Sequence, residues 1–317
     1  MSGRSGVWGG DLPEDDLGGA APAPAAACDA PTPAALRHAL LAGELRLAYQ
    51  PIVSLASGAI VAVEALLRWQ HPGRGLLEPA HFLAAASNAG LLPAFSQWAL
   101  QTACCQQARW QHELPHATRV ALSVNLAPGQ LRDPAFQAEL DAVLGQTALA
   151  PDRLWLELSE ATLLATGSAT EGLRALRSRG FRLVFDDFAV RYAALGLLAG
   201  LPIDLLKMDR QCTAQLLEEP GGLLGEVIVQ LAQGLGIGVV AKGVELPAQR
   251  RRLQSLGCTY EQGYLFSKPL SPGAMGRLLA QQRGPPEPLR RPTPTVRPPT
   301  PASRRPWDAL RMPAVAI

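Results

Sequence analysis

The chain has 317 residues, 48% of them hydrophobic and 18% charged, enough to bury a sizeable core as one large barrel or two ordinary domains. A formal net charge of +2 excludes the broad cationic field of a duplex nucleic-acid binder or a protein held on an anionic membrane. Five cysteines (Cys28, Cys104, Cys105, Cys212 and Cys258) form no CxxC pair and have no histidine at ligand spacing, which excludes a zinc site of the usual kind and a disulfide framework.

Residues 1–34 are rich in Ala, Pro, Gly and Asp and carry one Arg against five acids. Residues 284–317 mix Pro with Thr and Arg and carry six Arg against two acids. Neither segment can bury enough apolar surface to offset its ordering entropy, so both are expected as disordered tails around a domain of residues 35–283. No apolar signal segment follows the N-terminus, and Val227–Ala241 is too short to span a bilayer. A cytoplasmic protein with no membrane contact is the expectation.

Between the tails, short β-type runs alternate with longer helical segments, the pattern of an α/β fold with a mostly parallel sheet. The strands expected in chain order are Leu45–Ile52, Ala59–Trp69, Arg119–Asn125, Leu154–Leu158, Arg182–Phe185, Ile203–Lys207, Ile237–Ala241 and Cys258–Glu261. Ser54–Gly58 is too short for a helical crossover, so the first two strands should form an antiparallel pair. Helices are expected over Pro79–Ala89, Phe95–Gln111, Pro134–Gln146, Ala169–Arg179, Gly222–Gly234 and Ala248–Leu256. Eight strands with such connections predict a modified (β/α)8 barrel.

At or just past the C-terminal ends of these runs stand Glu64, Asn125, Glu157, Asp186 with Asp187, Lys207, Lys242 and Gln262. A parallel barrel gathers such ends on one rim, where active sites are built. Each residue alone suits a loop, a helix cap or a satisfied rim group. Together, four carboxylates and an amide oxygen repel one another unless cations neutralise them, and such hard oxygen donors select Mg²⁺ or Mn²⁺ rather than zinc. Carboxylate-held hard cations suit metal-assisted phosphoryl chemistry. The residue pattern leaves the substrate open.

At these positions the sequence resembles the EAL family of cyclic di-GMP phosphodiesterases. The resemblance rests on Tyr49-Gln50-Pro51-Ile52-Val53, Val63-Glu64-Ala65-Leu66-Leu67-Arg68-Trp69, Ser123-Val124-Asn125-Leu126, Leu156-Glu157-Leu158-Ser159-Glu160, Asp186-Asp187-Phe188, Leu206-Lys207-Met208-Asp209, Gly243-Val244-Glu245 and Gln262 through Leu270. It implies that Glu64, Asn125, Glu157 and Asp186 hold a first metal and that Asp186 bridges to a second held partly by Asp187. It further implies that Lys207 assists the attacking water and that Gln50, Leu66, Arg68 and Pro269 touch the dinucleotide. Glu245 and Gln262 would complete the surroundings of water, metal and ligand. Arg68 suits a phosphate fork because its planar guanidinium binds two oxygens at once.

Two departures stand out. Ala241-Lys242-Gly243-Val244-Glu245 carries an ammonium where the family has a carboxylate beside the second metal, and Ala189-Val190-Arg191-Tyr192-Ala193-Ala194 replaces a Gly-Thr-Gly-Tyr-Ser-Ser loop. A unit-charge pair about 4 Å apart is worth roughly 4 kcal/mol at an effective dielectric near 20, so the reversal at Lys242 weighs heavily on a divalent ion. A lysine buried beside a metal has the alternative of a depressed pKa and a neutral amine. Three functions follow: a degenerate domain that binds cyclic di-GMP with absent or weak hydrolysis, an active phosphodiesterase, and a nucleotide-independent interaction module. A protein engaging the C-terminal tail and a second copy of the chain are the other partners compatible with the sequence.

Overall fold

The structure is a computed structural model and describes residues 30–166, 170–188, 200–218 and 220–282. The Ala189-Val190-Arg191 departure and residues 284–317 lie outside the described residues, as do residues 1–29 of the expected N-terminal tail.

Strands β1 (Leu45–Ser54) and β2 (Ile60–His71) form the expected antiparallel pair, with Leu45 opposite Trp69 and Gln50 opposite Glu64. Gly58, at φ 72°, takes the left-handed conformation in the turn between them, which glycine reaches without a Cβ penalty. Beyond this hairpin, β4 (Ala121–Asn125), β5 (Leu154–Leu158), β6 (Arg182–Phe188), β7 (Leu205–Met208), β8 (Gly238–Lys242) and β9 (Tyr260–Gln262) run parallel in succession, starting on β2. β1 then pairs antiparallel with β9 and closes an eight-strand barrel. A short β3 (Gly75–Leu77) lies outside the ring on β2.

The outer layer includes α1 (Pro33–Leu41), α2 (Leu83–Asn88), α3 (Leu92–Glu113), α4 (Pro134–Thr147), α5 (Glu160–Thr166) and α6 (Thr170–Ser178). It continues with α7 (Arg210–Ala214), α8 (Gly222–Leu235), α9 (Pro247–Ser255) and α10 (Pro272–Gln281). Side-chain caps start several of these: Thr32, Asp133, Asp209 and Ser271 each accept a first-turn backbone N–H, and three of the four helices have Pro in the first turn. The helix expected over Pro79–Ala89 is broken. A 3₁₀ turn ends at His81, and Phe82 at φ −143° buries its ring against Trp69 and Phe95 before α2 begins. Among the described residues, no helix is long and apolar enough to cross a membrane.

Strand alternation positions the site. Side chains two apart share a face, and Ile52, Ala62, Ala121, Trp155, Val184, Leu205, Val240 and Tyr260 pack together as a buried apolar cluster contributed by all eight barrel strands. One two-residue step toward the mouth from each of these stand Gln50, Glu64, Ser123, Glu157, Asp186, Lys207, Lys242 and Gln262. The apolar layer is a floor, and the polar layer rests on it. The opposite faces of the strands pack against the helices in a second, larger core that includes Val63, Leu122, Leu156 and Phe185.

Candidate functional site at the barrel mouth

Lys207 is fully enclosed in the polar layer, with 0% of its side chain exposed, as is Glu157. Its Nζ lies 2.7 Å from Glu64 Oε2 on β2 and 2.6 Å from Glu157 Oε1 on β5. Gln262 Nε2 donates to Glu64 Oε2 at 2.7 Å, and Asn125 Nδ2 to Glu64 Oε1 at 3.3 Å. Ser123 donates to Glu157 Oε1 at 2.6 Å. Buried charges persist only when paired and hydrogen-bonded, and this network supplies both.

The charges shift one another unequally. Burial pushes the Glu64 carboxyl up, but Lys207 and Lys242 overcome it and hold the group down at about 2. Burial and the neighbouring Glu64 push Glu157 up to about 8, against the pull of Lys207. Lys207 is held charged: burial pulls its pKa down, and Glu157, Glu64 and Asp186 together raise it above the ordinary value. Glu157 Oε2 is buried without a hydrogen-bond partner. The surroundings of Glu157 therefore favour a proton or a cation on its carboxyl.

Asp186 and Asp187 are neighbours in sequence, and a regular strand would point them to opposite faces. The pairing of β6 with β7 shifts register between Phe185 and Phe188, and Asp187 sits at φ 51°, a left-handed conformation that Asp tolerates better than most residues. Lys242 on β8 meets both carboxylates, its Nζ 2.9 Å from Asp186 Oδ1 and 2.6 Å from Asp187 Oδ1. Burial and Lys207 pull its pKa down, but Asp186, Glu64 and Asp187 outweigh them and raise it, so the amine is charged rather than neutral. Its side chain is 23% exposed, against none for Lys207.

The remaining residues named from the sequence lie around this centre. Glu64, Leu66 and Arg68 alternate outward on one face of β2. Arg68 is 8% exposed, donates Nη1 to the Leu67 carbonyl at 2.8 Å, and has Nη2 3.8 Å from the exposed Glu78. Burial lowers its pKa, with Glu78, Tyr264 and Glu64 opposing the shift. Gln50 donates Nε2 to the Ser267 carbonyl at 3.1 Å, while Tyr49 and Leu270 exchange two backbone hydrogen bonds, which brings Pro269 beside β1. Glu245 is exposed on the turn after β8, where its backbone N–H donates to Gln249 Oε1. Ser123 is the residue that strand-end reasoning passed over. Its position two before Asn125 on β4, facing the same way, was the available signal.

Among the described residues, no three His, Cys, Asp or Glu side chains form a metal-ligand cluster. The two ammonium groups stand between the carboxylates. Fully ionised, four carboxylates against two ammonium groups would leave two formal negatives; with Glu157 pushed up to about 8, its carboxyl holds a proton at neutral pH, and a cation at its partnerless oxygen would displace that proton. By type, the oxygens of Glu64, Asn125, Glu157 and Asp186 suit one hard divalent ion, with the Lys207 ammonium standing between Glu64 and Glu157. The Asp186–Asp187 pair, already bridged by Lys242, does not fit another.

A closed eight-strand barrel with carboxylates, amides and ammonium groups gathered at the C-terminal ends of its parallel strands defines an α/β barrel protein with a candidate site at the mouth. The EAL domain family model matches residues 34–269, and the chain belongs to the EAL domain family. It is 36% identical over 249 residues to the uncharacterized protein sll1895 of Synechocystis sp., which covers 78% of this chain and 36% of that protein. It is 37% identical over 246 residues to the uncharacterized protein Mb1392c of Mycobacterium bovis, covering 74% and 78%. The chain spans 36–40% of the length of the first curated relatives it matches. The EAL enzyme Bd1971, bound to cAMP and cyclic di-GMP, superposes with a TM-score of 0.75 at 30% identity over 78% of this chain and 68% of its own. The PaMucR phosphodiesterase in complex with cyclic di-GMP gives 0.70 at 34% over 76% and 97%.

Proposed function

We propose that this chain binds cyclic di-GMP at the barrel mouth and retains it with little or no hydrolysis. The complexes of Bd1971 and PaMucR with that dinucleotide support the ligand. The observation that carries the second half is the Lys242 ammonium spanning Asp186 and Asp187. In this reading Arg68 forks a phosphate, while Gln50, Leu66, Pro269 and Gln262 shape the surface on which the dinucleotide lies. Glu64, Asn125, Glu157 and Asp186 would hold one Mg²⁺ or Mn²⁺. Such an ion, when bound, polarises a phosphate oxygen and lowers the pKa of water. Lys207, enclosed beneath the mouth, acts through Glu64 and Glu157 as a positioning residue, and Glu245 orders solvent at the rim.

The reading of an ordinary phosphodiesterase keeps one observation in its favour, the Glu64, Asn125, Glu157 and Asp186 oxygen set with its partnerless Glu157 Oε2. Titration calorimetry with cyclic di-GMP in excess Mg²⁺ or Mn²⁺ tests the ligand. Saturable heat is expected, with Arg68→Ala weakening affinity by about tenfold to a hundredfold, the worth of a charge-assisted hydrogen bond of ~1.5–3 kcal/mol. No heat at high ligand concentration would overturn the assignment and favour a protein-interaction module.

A further inference from the structure

We infer that Lys242 is a tethered counter-cation: it takes the place of a second metal ion on Asp186 and Asp187 and presents the ammonium that meets the ligand's phosphate. The inference deepens the cyclic di-GMP reading and rests on it for the ligand. The two lysines divide the labour of the mouth. Lys207 has no exposed surface, and its Nζ is enclosed by Glu64 and Glu157. It cannot reach a molecule in the mouth. Lys242 is the lysine of the two whose side chain keeps accessible surface, and its contacts with Asp186 and Asp187 use two of three N–H donors, leaving one for an oxygen acceptor.

Asp186 and Asp187 reach one cation only because of the irregularity in β6 and the left-handed backbone at Asp187, and the cation they reach is this amine. An ammonium on a flexible stem has no coordination geometry to satisfy and cannot be chelated away. Two consequences follow. The protein takes up one divalent ion, on the Glu157 side, and its hold on a phosphodiester survives removal of free metal.

The test combines two measurements on wild type, Lys242→Met and Lys242→Glu, each first checked for an unchanged circular dichroism spectrum. Equilibrium dialysis against Mn²⁺ with elemental analysis is expected to give one ion per chain for wild type and two for Lys242→Glu. Cyclic di-GMP affinity in EDTA is expected to stay within about threefold of its value in Mn²⁺ for wild type and to fall by about tenfold or more in Lys242→Met, the loss of one charge-assisted contact. Two ions in wild type, or affinity in EDTA equal for wild type and Lys242→Met, would overturn the inference. Because the wild-type ion count stands by itself, misfolding of either variant does not shield the claim. Absence of cyclic di-GMP binding by wild type under both conditions would remove the proposed ligand and the phosphate role of Lys242 with it, while a count of two ions with binding intact would overturn the counter-cation alone.

Discussion

Glu157 gives one carboxylate oxygen to the Lys207 ammonium at 2.6 Å and leaves the other buried without a partner. The pair sits on the apolar floor of the barrel, where loss of Glu157 leaves Lys207 paired with Glu64. Glu157→Ala should cost about 2–4 kcal/mol, below the full penalty of about 3–5 kcal/mol for a buried charge left with no partner. Glu157→Gln keeps an acceptor for Lys207 and Ser123 and should cost less, about 1–2 kcal/mol. Urea unfolding in EDTA at neutral pH checks the order. Equal losses for the two variants would show that the pair does not bear on stability.

The floor itself gives a second expectation. Trp155 packs in the floor beside Tyr260, yet its indole N–H is buried with no acceptor. Trp155→Phe loses volume but also removes an unsatisfied donor, so the two effects offset and the change should stay within about 1 kcal/mol. Trp155→Ala opens a cavity and should cost about 3–5 kcal/mol. Thermal unfolding distinguishes them, since about 1 kcal/mol moves Tm by ~2–4 °C in a domain of this size.

Gly263 and Gly58 separate two uses of glycine. A Cβ on Gly263 would stand 2.1 Å from the Val244 carbonyl oxygen and 2.3 Å from its nitrogen, while one on Gly58 meets nothing within 4 Å but faces φ +72°. Gly58→Ala should therefore cost about 1–2 kcal/mol of backbone strain. Gly263→Ala must push apart the turns after β8 and β9, should cost ~2–3 kcal/mol or more, and should weaken cyclic di-GMP binding by moving Gln262. Equal stability of the two variants would contradict the close backbone approach.

How far the sequence carried these conclusions depends on the range of the interactions. The barrel strands announce themselves through local apolar runs, and the hairpin through the shortness of Ser54–Gly58, so fold and rim were legible. α1 was not among the expected helices: its first two residues fell in the expected tail and the rest in a stretch of the domain too short to show a period, although Thr32 before Pro33 is a cap signal. β3, three residues long, carries too little pattern to detect. At the site, the gathering of Glu64, Asn125, Glu157, Asp186, Lys207, Lys242 and Gln262 followed from their place at strand ends. Which ammonium meets which carboxylate did not. Lys207 to Glu157 crosses the barrel, and the contact of Lys242 with Asp187 depends on a backbone irregularity that no side-chain pattern encodes.

The charge at Lys242 bears most directly on catalysis. Chromatography of the linear dinucleotide product, for wild type and Lys242→Glu across a Mn²⁺ titration, measures whether that charge suppresses turnover. No or very slow product formation is expected of wild type and at least a tenfold rise in Lys242→Glu, since each ~1.4 kcal/mol is tenfold in rate and the reversed charge is worth more than that at contact distance. Restoring Gly-Thr-Gly at Ala189-Val190-Arg191 should add to that gain. Rapid wild-type hydrolysis, undiminished or greater relative to Lys242→Glu, would contradict the account and make the chain an ordinary cyclic di-GMP phosphodiesterase.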